Sequence, residues 1–342
     1  MKAHVRMLVV AVTLVALAAV MAGCGSGSGG TVFLNIFGRP SWQPVAGGRI
    51  SMASMGGNGL LYLYIISANG NSPTLLTPSF NQNPPVNVLE GGSCPAFSPD
   101  GVTVAFVSRR GGPNNASSTL YTIPATGDTS SLAAPLVPLT NDSNGGNPQG
   151  ADTQPNWNPL GTGLIYSSTR VNGVGSLRTV TATGSLNPPT TILADGNDNQ
   201  WPCYNPQNVN QFVFQSNTGL TGAPDTITGQ PRTGIFLSTS GVITQLLPAP
   251  ADTTDRFTYG APSFSPDGTK IAFHSDRAGD YDIWIYTLAG GSLVHVTSDA
   301  RSDGFPVWNV GGTALAFTRD RELWLTSPDG TSQTRLSQRF QG

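Results

Sequence analysis

The sequence carries little charge for a chain of 342 residues. Asp, Glu, Lys and Arg together make 11% of it, lysine occurs only at Lys2 and Lys270, and the formal net charge is -2. Binding to nucleic acid requires a basic face that neutralises phosphates, so this composition argues against such a function. The low charge also argues against a chain kept disordered by self-repulsion.

Motifs for catalysis and metal binding are scarce as well. Beyond residue 22, histidine occurs only at His274 and His295, and neither a His-x-x-x-His nor a Cys-x-x-Cys spacing is present. The Gly-x-Ser-x-Gly elbow of many hydrolases is also absent. We therefore expect no metal and no cofactor, and we interpret both histidines as structural.

Residues 1–23 predict an export signal, because a basic start precedes an apolar stretch. Its end, Met21-Ala22-Gly23-Cys24, resembles a bacterial lipobox, which implies cleavage before Cys24 and acylation of its sulfur. Residues 25–30 contain only Gly and Ser, a composition typical of a flexible tether. The alternatives are a plain secretory signal with a chance cysteine, or an uncleaved transmembrane anchor. No later apolar stretch approaches the ~20 residues of a membrane span.

One short pattern recurs six times along the chain. It consists of proline, any residue, an aromatic residue and a small polar residue, usually followed by another proline and a glycine. The leading prolines are 55, 60, 47, 60 and 44 residues apart, which suits propeller blades with loops of varied length. The six copies begin at Pro40, Pro95, Pro155, Pro202, Pro262 and Pro306.

Three further runs follow each copy in a constant order. The first resembles Val104-Ala105-Phe106-Val107-Ser108, the second resembles Ile283-Trp284-Ile285-Tyr286, and the third is short, as in Leu293 to Thr297. Apolar runs of this length, bounded by turn residues, predict buried strands. We therefore predict an all-β fold, a six-bladed β-propeller of four-stranded antiparallel blades, over residues 37–342.

The two ends of such a ring need to be joined. Thr31 to Ile36 has strand character, and we expect it to pair with the last blade and hide an edge. Residues 24–36 are thus interpreted as a tether and possible closing strand. Cys94 and Cys203 belong to repeats two apart, whereas a disulfide needs Cα atoms within about 7 Å. We predict two unpaired, mostly buried thiols.

The repeats resemble those of the TolB-type, WD-like propeller family, whose unit reads P-x-W-S-P-D-G, then an aliphatic-aromatic strand, then an Ile-Tyr-type strand. Pro262 to Thr297 follows this pattern most closely, and the resemblance covers nearly all of Phe37 to Ser337. It implies a fold, an envelope location and binding as the default role, without naming a ligand. TolB itself has a further α/β domain before its propeller, which we do not expect between Cys24 and Pro40.

Four arginines fall at one repeat position, four residues after the strand aromatic. Equivalent strand ends lie on one rim of a ring, so together these guanidiniums would bind a carboxylate or an acidic partner. In the alternative interpretation, each arginine pairs with a nearby aspartate or carbonyl group in its own hairpin. The four candidate binding residues are Arg110, Arg170, Arg277 and Arg321.

Aspartates supply the remaining candidates. Asp299 and Asp303, with Arg301 between them, are clustered near a blade start and would suit an acid–base pair; the alternative is a solvated loop. The segment from Asp276 to Asp282 offers oxygens to calcium but lacks the spacing of a calcium loop.

Taken together, these features predict a monomeric lipoprotein of the cell envelope, facing the periplasm or the exterior and held at a membrane through Cys24. Its expected role is non-catalytic binding of a protein, peptide or glycan at one mouth of the ring, where loops on a rigid scaffold suit recognition. The alternative is a surface-anchored enzyme, a polysaccharide lyase, glycosidase or peptidase, with its site in the central channel.

Overall fold

The structure is a computed structural model. It describes residues 31–32, 35–36, 38–55, 61–70, 73–76, 93–108, 118–126, 138–140, 150–170, 173–183, 189–219, 232–248, 257–336 and 340–341. The export signal, Cys24 and Arg110 lie outside these ranges. Within them, no helix has the length and apolarity needed to cross a membrane.

A two-stranded sheet joins the two ends of the described chain. Strand β1 (Thr31–Val32) pairs antiparallel with the C-terminal strand Phe340–Gln341. The first residues of the predicted closing strand thus pair with a strand that follows the last blade in the sequence, and not with a strand of the last blade itself. Its last residues, Asn35–Ile36, belong elsewhere: they pair with a strand of the first blade.

Residues 34–338 form one compact unit that contains six antiparallel sheets. The first blade contains β2 (Asn35–Ile36), β3 (Ser41–Trp42), β4 (Ile50–Met55), β5 (Leu61–Ile66) and β6 (Thr74–Leu75). The second blade contains β7 (Ser93–Phe97), β8 (Thr103–Ser108) and β9 (Thr119–Pro124). The third blade contains β10 (Asp152–Trp157), β11 (Gly163–Ser168), β12 (Ser176–Thr181) and β13 (Thr190–Leu193). The fourth blade contains β14 (Asn199–Asn205), β15 (Asn208–Ser216), β16 (Gly234–Thr239) and β17 (Val242–Leu247). The fifth blade contains β18 (Tyr259–Phe264), β19 (Lys270–Ser275), β20 (Asp282–Thr287) and β21 (Leu293–His295). The sixth blade contains β22 (Asp303–Trp308), β23 (Leu315–Arg319), β24 (Glu322–Thr326) and β25 (Gln333–Arg335). The C-terminal strand Phe340–Gln341 is β26.

The six sheets are the blades of a closed ring. The first strand of each blade is the inner one: β3, β7, β10, β14, β18 and β22 each contact the next, and β22 contacts β3. The predicted six-bladed β-propeller is thereby confirmed. Two blades depart from four strands: β2 and β3 lie in line on β4, and the second blade shows three strands plus a bridge between Tyr121 and Pro138.

A bulge interrupts the inner strand in five blades, directly before the repeat proline. The pairing shifts there, and the residue before the proline has φ between 47° and 57°. Such a backbone is strained for a residue with a Cβ, and a bulge re-aims its side chain. These residues are Cys94, Gln154, Trp201, Ala261 and Phe305. In the first blade the inner strand breaks instead, at Gly38 with φ of +74°.

Apolar side chains between neighbouring blades form the core. The aromatic residues at the centre of the second strands are almost fully buried, each contributing about 1.5–3 kcal/mol by its burial. They are Phe106, Tyr166, Phe214, Phe273 and Phe317. Two tryptophans of the repeat pattern also connect blades: Nε1 of Trp157 donates to the carbonyl oxygen of Ala96 (3.0 Å), and Nε1 of Trp308 donates to that of Ser263 (3.2 Å).

The hydrogen bond of Trp157 gives a direct test of this coupling. The W157F variant leaves the buried carbonyl group of Ala96 without its donor, and we expect a loss of about 1–3 kcal/mol in the free energy of unfolding by urea. Trp42 occupies the same repeat position but is only partly buried, and its indole has no protein acceptor among the described residues. W42F should therefore stay within about 0.5 kcal/mol. Equal losses in the two variants would contradict the assignment.

Candidate functional site at the proline mouth

The six repeat patterns converge on one mouth of the ring. They enclose a cavity of about 710 Å³, and every blade contributes to its lining. Because all six inner strands end at this side, the turn that follows each of them lies at the same rim. We call this site the proline mouth. Its lining includes Pro40, Pro44, Pro95, Pro99, Pro155, Pro159, Pro206 and Pro266, with Trp42, Phe97, Trp157, Tyr204, Phe264 and Trp308.

The turns around the mouth are locked by hydrogen bonds. In the second blade the hydroxyl group of Ser98 donates to the Asp100 carboxylate, which also accepts from the Val102 amide. Ser265 and Asp267 repeat this arrangement in the fifth blade. The serine hydrogen bond is the main reason that the pKa of each aspartate lies below its usual range.

Neighbouring turns are also joined to each other. The amide of Gln43 donates to the carbonyl oxygen of Gly101 in the next blade, and Gln207 donates likewise to Pro266 (both 2.8 Å). The rim is therefore a preformed structure that gains little further order when a ligand binds.

The same turns expose aliphatic side chains to solvent. Leu160 is 68% exposed, Val102 59%, Val310 44% and Val45 37%. Exposed apolar residues that cluster around a concave site are typical of surfaces that bind another protein. Of the described residues that line the mouth, Asp267 is the one carboxylate. The described lining of the cavity therefore contains no pair of acids for the catalysis considered above.

Aromatic side chains occupy the axis of the ring. The rings of Trp201 and Phe305 lie 5.0 Å apart, although they come from the fourth and sixth blades, and the ring of His274 lies 5.4 Å from Phe305. Gly38 lies close to both Trp201 and Cys94. We call Cys94, Trp201, His274 and Phe305 the axial cluster. Burial raises the pKa of the Cys94 thiol to about 11 and lowers the pKa of His274 to about 4, so both are neutral near pH 7.

The arginines singled out in the sequence follow the second strands, at the end opposite the proline mouth. Arg170 is buried and forms an ion pair with Asp152 (Nε to Oδ2, 2.9 Å), and it donates to the carbonyl oxygen of Ser118. Arg277 lies over the Trp284 ring, and Arg321 is exposed. Arg170 is thus paired within the protein, as the alternative interpretation expects. Ligand binding by the set of four stays a prediction.

Arg319 is a buried charge that the sequence reasoning missed. Its guanidinium contacts both carboxylate oxygens of Asp303 (2.6 Å each) and also Asp299 (2.8 Å). The two aspartates that suggested an acid–base pair are therefore both ion-pair partners of Arg319. One signal was available in the sequence, since Asp303 and the Arg170 partner Asp152 both lie three residues before a repeat proline.

The other polar candidates also have partners. Nε2 of His295 lies 2.8 Å from the Asp282 carboxylate, and its ring stacks on Trp284 at 4.0 Å. Asp276 accepts from the amide of Thr258. Among the described residues there is no group of three or more His, Cys, Asp and Glu side chains placed to hold a metal ion. Cys94 and Cys203 are both free thiols.

Comparison with known proteins adds short sequence matches. No protein-family model matches the chain. An uncharacterized protein of Agrobacterium fabrum is 36% identical over 67 residues, and a TolB homolog of Chlorobaculum tepidum is 34% identical over 80. These matches cover 18% and 22% of this chain, and only 23% and 18% of the relatives.

Solved structures match over most of the chain. A putative TolB from Agrobacterium tumefaciens has a TM-score of 0.57 and 20% identity, covering 78% of this chain and 84% of its own. The fold is TolB-like. Two enzymes share it: the tricorn protease (TM-score 0.61, 17% identity, 89% of this chain and 26% of its own) and an oligogalacturonate lyase in complex with manganese (0.52, 15%, 89% and 77%). At these identities the likeness extends to the TolB-like fold alone.

The buried ion pair of Arg170 separates a structural role from a binding role. R170M leaves Asp152 buried without its counter-charge, and we expect a loss of about 3–5 kcal/mol in the free energy of unfolding. R277M removes a partly exposed contact with Trp284 and should cost no more than about 1 kcal/mol. A fully stable R170M protein would contradict a structural role for Arg170 and favour its use as a ligand contact.

His274 predicts a loss of stability in weak acid. Its pKa of about 4 in the folded protein lies below 6.5, so the unfolded chain binds a proton that the native protein does not. Stability should therefore fall as the pH falls from about 6.5 to 4, by about 1–2 kcal/mol between pH 7 and pH 5. H274Q introduces the residue that Gln215 supplies at this position of the fourth blade, and in this variant that share of the pH dependence should disappear from urea unfolding curves. An unchanged pH dependence of stability in H274Q would contradict the assignment of this effect to His274.

Proposed function

We propose that this chain is an exported, non-catalytic lipoprotein whose TolB-like propeller binds a polypeptide partner at the proline mouth. The observation that carries the proposal is the mouth itself: the turns of six blades, joined by hydrogen bonds at two junctions, enclose a cavity of about 710 Å³ with exposed aliphatic side chains at its rim. A rigid concave site of this kind is suited to recognition, and its size is typical of ligand sites. The one described carboxylate of its lining, Asp267, is already hydrogen-bonded to Ser265.

The sequence supports the proposed location. The lipobox-like segment that ends at Cys24 and the Gly/Ser residues 25–30 suit a chain held at a membrane surface by a lipid. A tether of this kind leaves the ring free to turn towards a partner in the same envelope compartment. The propeller of the proposal is therefore a membrane-attached binding module.

Capture of the partner from cross-linked native membranes tests the proposal. The double variant L160K/V310K places two charges on the rim without touching the core, and we expect it to recover at least tenfold less partner than the wild type. V242K is the matched control, because Val242 is 68% exposed, as is Leu160, but lies on the outer strand β17.

Three outcomes would contradict the proposal. Equal recovery by L160K/V310K and the wild type would place binding elsewhere on the ring. Loss of the partner with V242K would point to the outer edge of the fourth blade. Absence of the protein from the membrane fraction would contradict the lipid anchor.

A further inference from the structure

Arg39 is a cation inside the proline mouth. It directly precedes Pro40, at the repeat position whose equivalents include Cys94, Trp201 and Phe305 of the axial cluster. Arg39 lines the cavity and is partly buried, and its charge opposes the rise that burial causes in the pKa of the Cys94 thiol. Arg39 therefore brings a positive charge to the mouth, within electrostatic range of Cys94.

No group in the described part of the protein neutralises Arg39. Arg170, Arg319 and Arg335 each form an ion pair with an aspartate or glutamate. Among the described residues, Arg39 takes part in no ion pair and no hydrogen bond. The carboxylate of the mouth, Asp267, is held by Ser265 and interacts with Lys270.

An arginine without a counter-charge at a cavity rich in prolines and aromatic residues favours a carboxylate ligand. Its planar donors match the two oxygens of a carboxylate, and the prolines and aromatic side chains of the lining offer apolar contacts to the rest of a ligand. A ligand with one negative charge would supply the counter-charge that Arg39 lacks among the described residues.

The remaining polar groups of the mouth favour a polypeptide over a glycan. Ser41 accepts from the amide of Phe97 (3.0 Å), Asn156 accepts from that of Tyr204 (2.9 Å), and Asn309 accepts from that of Thr313 (2.8 Å). Ser41 and Asn156 thus help to join neighbouring blades, and Asn309 closes a turn within its own blade. Part of the hydrogen-bonding capacity that a sugar would need is therefore already used, whereas the prolines and aromatic residues of the lining suit apolar side chains of a peptide.

We propose that the proline mouth binds an apolar polypeptide segment that presents one carboxylate, a chain terminus or an acidic side chain, to the guanidinium of Arg39. This inference rests on the proposed function and adds the chemistry of the ligand. Arg39 is the binding residue that gives the mouth its preference for a negative charge.

The test uses three pools of N-acetylated octapeptides that are otherwise uncharged. One pool has a free C-terminal carboxylate, one has an amidated C-terminus and a single internal aspartate, and one is amidated without any acid. Capture by the full-length protein in detergent micelles should enrich at least one acidic pool about 10- to 100-fold over the uncharged pool. In R39Q this preference should vanish, and R39K should retain part of it because lysine keeps the charge without the fork.

K270Q is the matched control, since it removes the other cation of the lining and should change the preference less than threefold. Equal capture of all three pools by the wild type, or an unchanged preference in R39Q and R39K, would overturn the inference. Capture of an oligogalacturonate probe in place of the peptides would overturn the choice of a polypeptide. If the membrane partner is lost with L160K/V310K but kept with R39Q, the proposed function stands and this inference fails.

Discussion

In five of the six blades the backbone turns left-handed at a non-glycine residue directly before the repeat proline. This bulge is the constraint on which both ends of the inner strand depend. Before it, the strand pairs in one register; after it, the register has shifted, and the proline leads into the turn that forms the mouth. At two of these bulges the side chains, Trp201 and Phe305, meet across the ring. Side chains of the preceding blade stabilise the strained backbone at three of these bulges: Gln154 accepts from the amide of Trp201, Gln215 accepts from that of Ala261, and His274 accepts from that of Phe305.

The fold could be predicted from the sequence because its determinants are local. Each copy of the repeat carries its own turn residues and its own buried aromatic, such as Phe106 or Phe273, and six copies in one order leave little choice of architecture. The proline mouth follows from the same pattern once the ring is closed. What could not be predicted are contacts across the ring, such as Trp201 with Phe305, which lie 104 positions apart in the sequence. They depend on how the blades meet, and no periodicity records that.

The scarcity of charge has a structural consequence as well. Two of the few arginines, Arg170 and Arg319, are buried with aspartates at equivalent places in the third and sixth blades. A buried pair of this kind adds little net stability over an apolar pair, but it is costly to break, so it fixes how its strands meet. The charged residues described in the lining of the proline mouth are Arg39, Asp267 and Lys270. Because Asp267 interacts with Lys270, Arg39 is the residue among these three that has no counter-charge.

Because the mouth is rigid, most of the conformational entropy lost on binding would be lost by the ligand. Interlocked turns such as those of Gln43 with Gly101 are ordered before any ligand arrives. The ring therefore loses little freedom on association, and the conformational cost falls on the segment that enters. A short segment with prolines or β-branched residues loses less freedom than a glycine-rich one, because its unbound state is already restricted. For the proposed ligand, a stiff, apolar segment with one charge within reach of Arg39 would therefore lose the least freedom on binding.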